Sequence, residues 1–178
     1  MGSKIFNAPR NNHVRQKNMI IILMGVSGCG KTTVGKILSD ELGWGLYDGD
    51  DFHPLGNVRK MSRGVALNDE DRIPWLDALR QFIEGLARRD EKAVVTCSAL
   101  KQSYRDRLAR GRRNFRLVYL KGDFDLIQSR LRKRKRHFMK GNLLASQFAA
   151  LEEPQNAIIA DVSRHPAEVV AFIRQELE

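Results

Sequence analysis

The sequence predicts a three-layer α/β sandwich, in which a five-stranded parallel sheet is flanked by helices on both faces. Two observations predict this fold class. Short apolar runs alternate with longer segments of helical period, and a glycine-rich turn joins the first apolar run to the first helix. The length of 178 residues, with 42% hydrophobic and 29% charged residues, fits one globular domain.

Five short runs, mostly apolar and β-branched, are predicted as strands. They are residues 19–24, 45–47, 93–97, 115–120 and the AIIADV run within 156–162. The segments between them carry apolar residues three and four positions apart, which predicts helices. These predicted helices are residues 31–42, 101–110, 123–136, 143–151 and 166–177, together with a helix that begins at Pro74 and extends past Leu86. Residues 52–68 are polar and aperiodic, so we expect an irregular insertion there that serves a second substrate.

The bulk composition limits the class of protein. Residues 1–18 are polar and hold no acidic residue, so we expect a flexible extension ahead of a single domain over 19–178. The longest apolar run is far shorter than the roughly 20 residues that span a bilayer, and no membrane partner is expected. Two cysteines, Cys29 and Cys97, favour a reducing compartment. The net charge of +10 favours anionic partners such as nucleotides, acidic metabolites or nucleic acid.

Residues 25–32 match the pattern G-x-x-x-x-G-K-[ST] between a predicted strand and a predicted helix. Glycines let backbone N–H groups turn toward phosphate oxygens, and the helix N-terminus adds partial positive charge. The motif predicts that Lys31 reaches the β- and γ-phosphates of a nucleotide and that the Thr32 hydroxyl is a ligand of Mg²⁺. The predicted nucleotide-binding residues are Gly25, Val26, Ser27, Gly28, Cys29, Gly30, Lys31, Thr32 and Thr33.

Two carboxylates, Asp48 and Asp50, follow the second predicted strand. If the extended backbone persists, they point to the same side, at the carboxyl edge where parallel sheets bind ligands. One carboxylate can then hold Mg²⁺ through its water shell, and the other can take the proton of an attacking hydroxyl. The alternative is a solvated acidic turn. His53, just before a proline, is either a substrate contact or a turn residue.

Taken together, these motifs resemble the gluconokinase family of small P-loop kinases, which is related to shikimate kinase. The resemblance runs from residue 19 to the C-terminus. It rests on LMGVSGCGKT (23–32), DGDDFHP (48–54), NVRKM (57–61), LNDEDRIPWL (67–76), CSALKQSYRD (97–106), YLKGD (119–123), RKRHF (134–138) and SQFAALEEP (146–154). The chain departs from the family pattern at Ala66, where proline is usual, and at Arg136, where glycine is usual.

The resemblance implies a P-loop kinase fold of the nucleoside-monophosphate-kinase type, with a substrate-binding segment at about 50–90 and a lid at about 130–142. It implies ATP-dependent phosphorylation of D-gluconate at its terminal hydroxyl, with Mg²⁺, in cytoplasmic gluconate utilisation that feeds the pentose phosphate pathway. Family members are commonly homodimers. On this reading Asp50 orients and deprotonates the hydroxyl, and Asp48 helps to organise Mg²⁺.

The acceptor is expected to contact several residues. The resemblance implies that a segment with Arg59, Lys60, Asp71 and Arg72 closes over the sugar acid. An acyclic polyhydroxy acid needs cations for its carboxylate and mixed donors and acceptors for its hydroxyls. Arg105, with Ser98 and Lys101 before it, is well placed to supply them, although each has a surface or capping role as its alternative.

Six of the seven residues 130–136 are Arg or Lys. The resemblance makes this run a lid whose arginines close over ATP, and we expect Arg130 and Arg134 to contact the phosphates. Two other functions stay open. One is a kinase of the same fold for shikimate or another hydroxy acid. The other is a nucleic-acid-binding NTPase that uses the basic run, which we disfavour because no nucleic-acid module accompanies it.

Overall fold

The computed structural model describes residues 19–110, 114–133 and 141–178, and the predicted N-terminal extension lies outside them. Its centre is a five-stranded parallel sheet with the strand order β2-β3-β1-β4-β5. The strands are β1 (Ile20–Met24), β2 (Gly45–Asp48), β3 (Ala93–Cys97), β4 (Phe115–Lys121) and β5 (Ile158–Asp161). The predicted fold class is confirmed.

Seven helices accompany the sheet in the described part of the chain. They are α1 (Lys31–Leu42), α2 (Leu55–Ser62), α3 (Asp69–Arg88), α4 (Gln102–Ala109), α5 (Phe124–Lys133), α6 (Gly141–Ala150) and α7 (Pro166–Leu177). A single 3₁₀ turn, Gly49–Phe52, follows β2. None of these helices is long and apolar enough to cross a membrane.

Strand β1 separates two apolar cores. Its residues are all buried, which explains why its sequence is continuously apolar rather than alternating. Ile21 and Leu23 face one core, shared with α1, α5, α6 and α7. Ile20, Ile22 and Met24 face the other core, shared with α3 and α4. The sheet is therefore the middle layer of the predicted sandwich.

Two predictions for residues 52–68 and Pro74 were wrong. Helix α2 lies within the segment expected to be irregular. Its sequence shows no apolar stripe because only Asn57 is buried, and the Asn57 amide donates to the backbone carbonyl of Asp71, which ties α2 to α3 (2.7 Å). Helix α3 begins at Asp69, five residues before Pro74, because Asn68 and Asp71 form a reciprocal capping box at its start.

The connections that follow the strands meet at one edge of the sheet. The glycine loop follows β1, Asp48 ends β2, residues 98–101 follow β3 and residues 162–165 follow β5. In register, Met24 pairs with Cys97 of β3 and with Tyr119 of β4, so the glycine loop leaves from the middle of this edge. Parallel topology thus brings residues far apart in sequence to one place.

The buried Gly49 joins β2 to the turn that carries Asp50, and its backbone lies close to β3. A Cβ added there would lie 2.5 Å from the Thr96 carbonyl oxygen, and the Gly49 carbonyl accepts a hydrogen bond from the Trp75 indole (2.6 Å). We expect Gly49→Ala to lower the free energy of unfolding by about 1–3 kcal/mol, since the turn must shift. Urea denaturation measures this change.

The matched control is Gly56→Ala in α2, where an added Cβ meets nothing within 4 Å. Because alanine favours helix, we expect this variant to be unchanged or more stable by up to about 1 kcal/mol. Equal losses of stability in the two variants would contradict the tight approach at Gly49.

Candidate active site

The glycine loop curls around the side chain of its own lysine. Lys31 Nζ donates to the backbone carbonyls of Gly25 (2.9 Å) and Val26 (3.1 Å). Gly25, Gly28 and Gly30 have φ values of +148°, +86° and +103°, which L side chains rarely adopt. At Gly25 a Cβ would also lie 2.9 Å from the Leu120 carbonyl oxygen. The loop backbone is shaped as a cradle for phosphate.

The other predicted nucleotide-binding residues continue this loop into helix α1. Val26 and Cys29 are buried beneath the loop, whereas Thr32 and Thr33 are exposed in the first turn of the helix. The N-cap residue is Gly30, which offers no side chain to the first N–H groups of α1. A helix start of this kind is suited to an anion.

Asp48 is held in place by two hydrogen bonds to one carboxylate oxygen. Its Oδ1 accepts from the Thr96 hydroxyl (2.9 Å) and from the Asp50 backbone N–H (3.0 Å). The second bond starts the 3₁₀ turn, so the expected extended backbone ends at Asp48, and Asp50 is placed by the turn and not by strand alternation. Thr96 is buried and fixes which way the Asp48 carboxylate faces.

Asp50 is electrostatically coupled to the phosphate loop. Desolvation by the surrounding protein raises the pKa of Asp50, although the residue is partly in contact with solvent. The positive charge of Lys31 lowers this pKa. The neighbouring Asp48 and Asp51 carboxylates raise the pKa of Asp50 further. Lys31 and Asp50 therefore lie close enough for their charges to interact.

His53 lies in the wall of the same site. Its imidazole stacks on the Trp75 indole, with centroids 4.2 Å apart and planes 15° apart, and its Nδ1 is 3.3 Å from the Asn57 amide nitrogen. Burial and the positive charge of Arg72 lower the pKa of His53 to about 4. The side chain is consequently neutral at neutral pH and available for hydrogen bonding.

A cavity of about 540 Å³ lies between the start of α3 and helix α6. One network dominates the charged lining of this cavity. The Asp69 carboxylate accepts hydrogen bonds from Lys101 (2.8 Å to each oxygen) and from the Tyr104 hydroxyl. The Arg72 guanidinium lies 4.0 Å from the same carboxylate. The hydrogen bond from Lys101 is the main cause that lowers the pKa of Asp69. Two predicted acceptor residues, Arg72 and Lys101, therefore line this cavity.

The remaining predicted acceptor residues lie around or away from this cavity. Lys60 pairs with Asp71 (2.5 Å), beside the capping box, and Arg59 is exposed on α2. The Ser98 carbonyl accepts from the Gly25 N–H (3.3 Å). Arg105 is buried, and its guanidinium donates to the Ala99 (3.0 Å) and Leu100 (2.9 Å) carbonyls. The structure thus gives Arg105 backbone partners after β3, away from the acceptor cavity.

A second cavity of about 240 Å³ lies between the phosphate loop and the connection from β5 to α7. Gly28, Thr33, Arg130 and Arg164 line it. Arg130 donates from Nη2 to the Val162 carbonyl (2.6 Å), so this predicted phosphate contact lies on the nucleotide side of the site. Arg134, with most of the predicted lid, lies outside the described residues.

Sequence reasoning missed several residues that shape the site. They are Asn57, Asp69, Trp75, Thr96, Tyr104, Gln147 and Arg164. Asp69 had a detectable signal, because it lies close in sequence to the predicted Asp71 and Arg72. Thr96 had none, because only the register of β3 against β2 places it opposite Asp48. The others act through contacts between distant segments, such as Ser27 with Gln147, which no local pattern indicates.

Three kinds of comparison with known proteins give consistent results. The family model described as "Shikimate kinase" matches residues 27–178. The thermoresistant gluconokinase of Escherichia coli K12 is 44% identical, over 85% of this chain and 89% of that protein, and a probable gluconokinase of Mus musculus is 41% identical, over 89% and 97%. A crystal structure of a gluconokinase from Sinorhizobium meliloti superposes with a TM-score of 0.79 at 38% identity, covering 89% and 90% of the two chains.

The low pKa of His53 predicts a pH-dependent stability. Between pH 6.5 and about 4 the unfolded chain protonates an imidazole that the folded chain keeps neutral, so folding stability falls as the pH drops through this window. Gln at this position does not titrate. We therefore expect the free energy of unfolding of His53→Gln to fall between pH 7 and 4.5 by about 1–2 kcal/mol less than that of the wild type, a figure that allows for partial solvent screening. Urea unfolding at both pH values measures the difference. Parallel losses in the two proteins would contradict the assignment.

Proposed function

Because the chain belongs to the gluconokinase family and to the wider shikimate kinase family, we propose that it transfers the γ-phosphoryl group of ATP to the terminal hydroxyl of D-gluconate. The products are 6-phospho-D-gluconate and ADP. One observation carries the proposal: the glycine loop with Lys31 follows β1, and the carboxylates Asp48 and Asp50 follow β2, at the same edge of one parallel sheet. Phosphoryl transfer requires this pairing of a phosphate cradle with a group that positions the nucleophile.

The nucleotide occupies the loop and the smaller cavity. Backbone N–H groups of the loop and of the first turn of α1 donate to the phosphates, except those of Gly25, Ser27 and Cys29, which have protein partners. Lys31 leaves the Gly25 and Val26 carbonyls to reach the β- and γ-oxygens. The base and ribose enter the cavity lined by Arg130 and Arg164. Arg130 and Arg134 neutralise charge on the phosphates when the segment at 130–142 closes.

The residues present fit a magnesium ion held mainly by ATP and water. Among the described residues no group of three or more His, Cys, Asp or Glu side chains could hold a metal by itself. Mg²⁺ commonly keeps several waters and takes one or two protein oxygens, and the Thr32 hydroxyl and the Asp48 carboxylate are oxygen donors at the right edge. When bound, Mg²⁺ neutralises developing charge on the β- and γ-phosphates. Thr96 orients Asp48 toward this role.

The acceptor hydroxyl gives its proton to Asp50. Because desolvation raises the pKa of Asp50, its carboxylate is a stronger base than a free aspartate. The hydroxyl oxygen attacks the γ-phosphorus as the bond to the β,γ-bridging oxygen breaks, and the electron pair leaves with ADP. Lys31 stabilises the charge on the transferring group.

The sugar acid occupies the larger cavity. Arg72 and Lys101 are cations that line this cavity, so they receive the gluconate carboxylate. Asp69, which now accepts from Lys101, then accepts hydrogen bonds from substrate hydroxyls instead. The family resemblance supports Asp71, Lys60, Arg59, Ser98 and His53 as further contacts of the substrate hydroxyls, although they are not part of the cavity lining. We assign Arg105 to a supporting role, because its guanidinium holds the Ala99 and Leu100 carbonyls beside Lys101. The family resemblance further supports a cytoplasmic homodimer that needs neither nucleic acid nor a membrane.

The proposed activity is tested by coupled measurement of ADP release with MgATP and a panel of D-gluconate, shikimate, glucose, RNA and no acceptor. We expect turnover with gluconate alone, its loss when EDTA removes Mg²⁺, and a phosphate on the terminal carbon in the ³¹P–¹³C NMR spectrum of the product. Turnover with shikimate in place of gluconate, or ATP hydrolysis stimulated by RNA, would contradict the substrate assignment.

The base assignment predicts a large effect of Asp50→Asn. We expect kcat to fall by about 100-fold or more, as for loss of a general base, while the affinity for MgATP changes little. The matched control is Asp51→Asn, because Asp51 is an exposed neighbour in the same turn. Its kcat should stay within about threefold of the wild type, because its carboxylate contributes only a weak charge interaction with Asp50. Comparable losses in the two variants would show that the turn's charge matters and not the Asp50 base.

A further inference from the structure

Helix α6 is anchored in the core by one face. Leu144 is buried, and the Phe148 ring packs edge-on against Phe124 of α5, with centroids 5.3 Å apart. Between these two anchors lies Gln147, whose half-buried side chain meets the phosphate loop. The packing of the helix therefore sets where this amide lies.

Gln147 and Ser27 exchange two hydrogen bonds. The Ser27 backbone N–H donates to Gln147 Oε1 (2.7 Å), and Gln147 Nε2 donates to Ser27 Oγ (3.1 Å). Only a side-chain amide offers an acceptor and a fixed donor side by side in this way at neutral charge. The two residues are 120 positions apart in the chain, so this pair is a tertiary clamp on the loop and not part of a local turn.

The same helix also borders the acceptor cavity. Ser146 and Ala150 line that cavity, one position before and three positions after Gln147. Helix α6 thus touches the phosphate loop through one residue and the acceptor cavity through its neighbours. One helix therefore connects the phosphate loop to the wall of the acceptor cavity.

We propose that Gln147 is a positioning residue for phosphoryl transfer. It holds the Ser27 main chain against α6, so that the phosphate-binding loop and the acceptor cavity keep a fixed separation when both substrates are bound. Transfer is sensitive to this separation, because a misplacement of about 1 Å can cost about 100-fold in rate. This inference rests on the proposed kinase activity, since it concerns the alignment of that reaction.

The test compares Gln147→Met, which keeps the length of the side chain and removes both hydrogen bonds, with Gln175→Met on the exposed surface of α7. We expect Gln147→Met to lower kcat by about 10- to 100-fold while KM for ATP and gluconate each change less than about threefold. Gln175→Met should match the wild type. A variant that melts at a lower temperature but keeps its kcat would overturn the proposal, because Gln147 would then be only structural.

A second measurement does not depend on the acceptor. Hydrogen exchange of the Ser27 amide, followed by NMR in the nucleotide-free protein, should be about tenfold or more faster in Gln147→Met than in Gln175→Met. Unchanged exchange would overturn the clamp whatever the substrate is. If the Ser27 amide exchanges faster in Gln147→Met but the wild-type protein does not phosphorylate gluconate, the clamp is supported and the substrate assignment is contradicted. The two failures are therefore distinguishable.

Discussion

The burial of strand β1 is the constraint on which the site depends. All five of its residues are buried, and it pairs with β3 on one side and β4 on the other. The phosphate loop leaves this strand at Gly25, where the Cβ of any other residue would lie too close to the Leu120 carbonyl oxygen. A loop attached to a central and fully buried strand needs little reorganisation to receive phosphate, which is the condition for electrostatic stabilisation of transfer.

Electrostatics explain why the loop and the carboxylates act together. Lys31 lies in the helix that follows β1, and Asp48 and Asp50 lie at the end of β2 and in the turn after it, so β3 separates the two strands concerned. Thr96 of β3 holds the Asp48 carboxylate. Burial and the neighbouring Asp48 carboxylate raise the pKa of Asp50, and the positive charge of Lys31 lowers it. The cations Arg72 and Lys101 are likewise engaged by Asp69, so both halves of the site hold charges that substrates can exchange for their own.

The fold class, all five strands and the glycine-rich loop were predictable from the sequence, because burial and phosphate binding impose local patterns. It did not reveal α2, which buries only Asn57 and so has no apolar period, and it misplaced the start of α3, because Pro74 is a more conspicuous signal than the Asn68 capping box. Arg105 shows another limit: its position in the motif suggested a substrate contact, and only the fold shows its carbonyl partners. The Gln147 clamp joins segments whose proximity arises from tertiary packing alone.

The most direct test of the account is a crystal structure of the protein with MgADP, aluminium fluoride and D-gluconate, which together mimic the transferring phosphoryl group and its acceptor. The account predicts that the terminal hydroxyl of gluconate lies in line with the fluoride group and about 3 Å from an Asp50 carboxylate oxygen, with the substrate carboxylate on Arg72 and Lys101. A complex in which Asp50 does not contact that hydroxyl, or in which the sugar acid lies outside the cavity between α3 and α6, would contradict it.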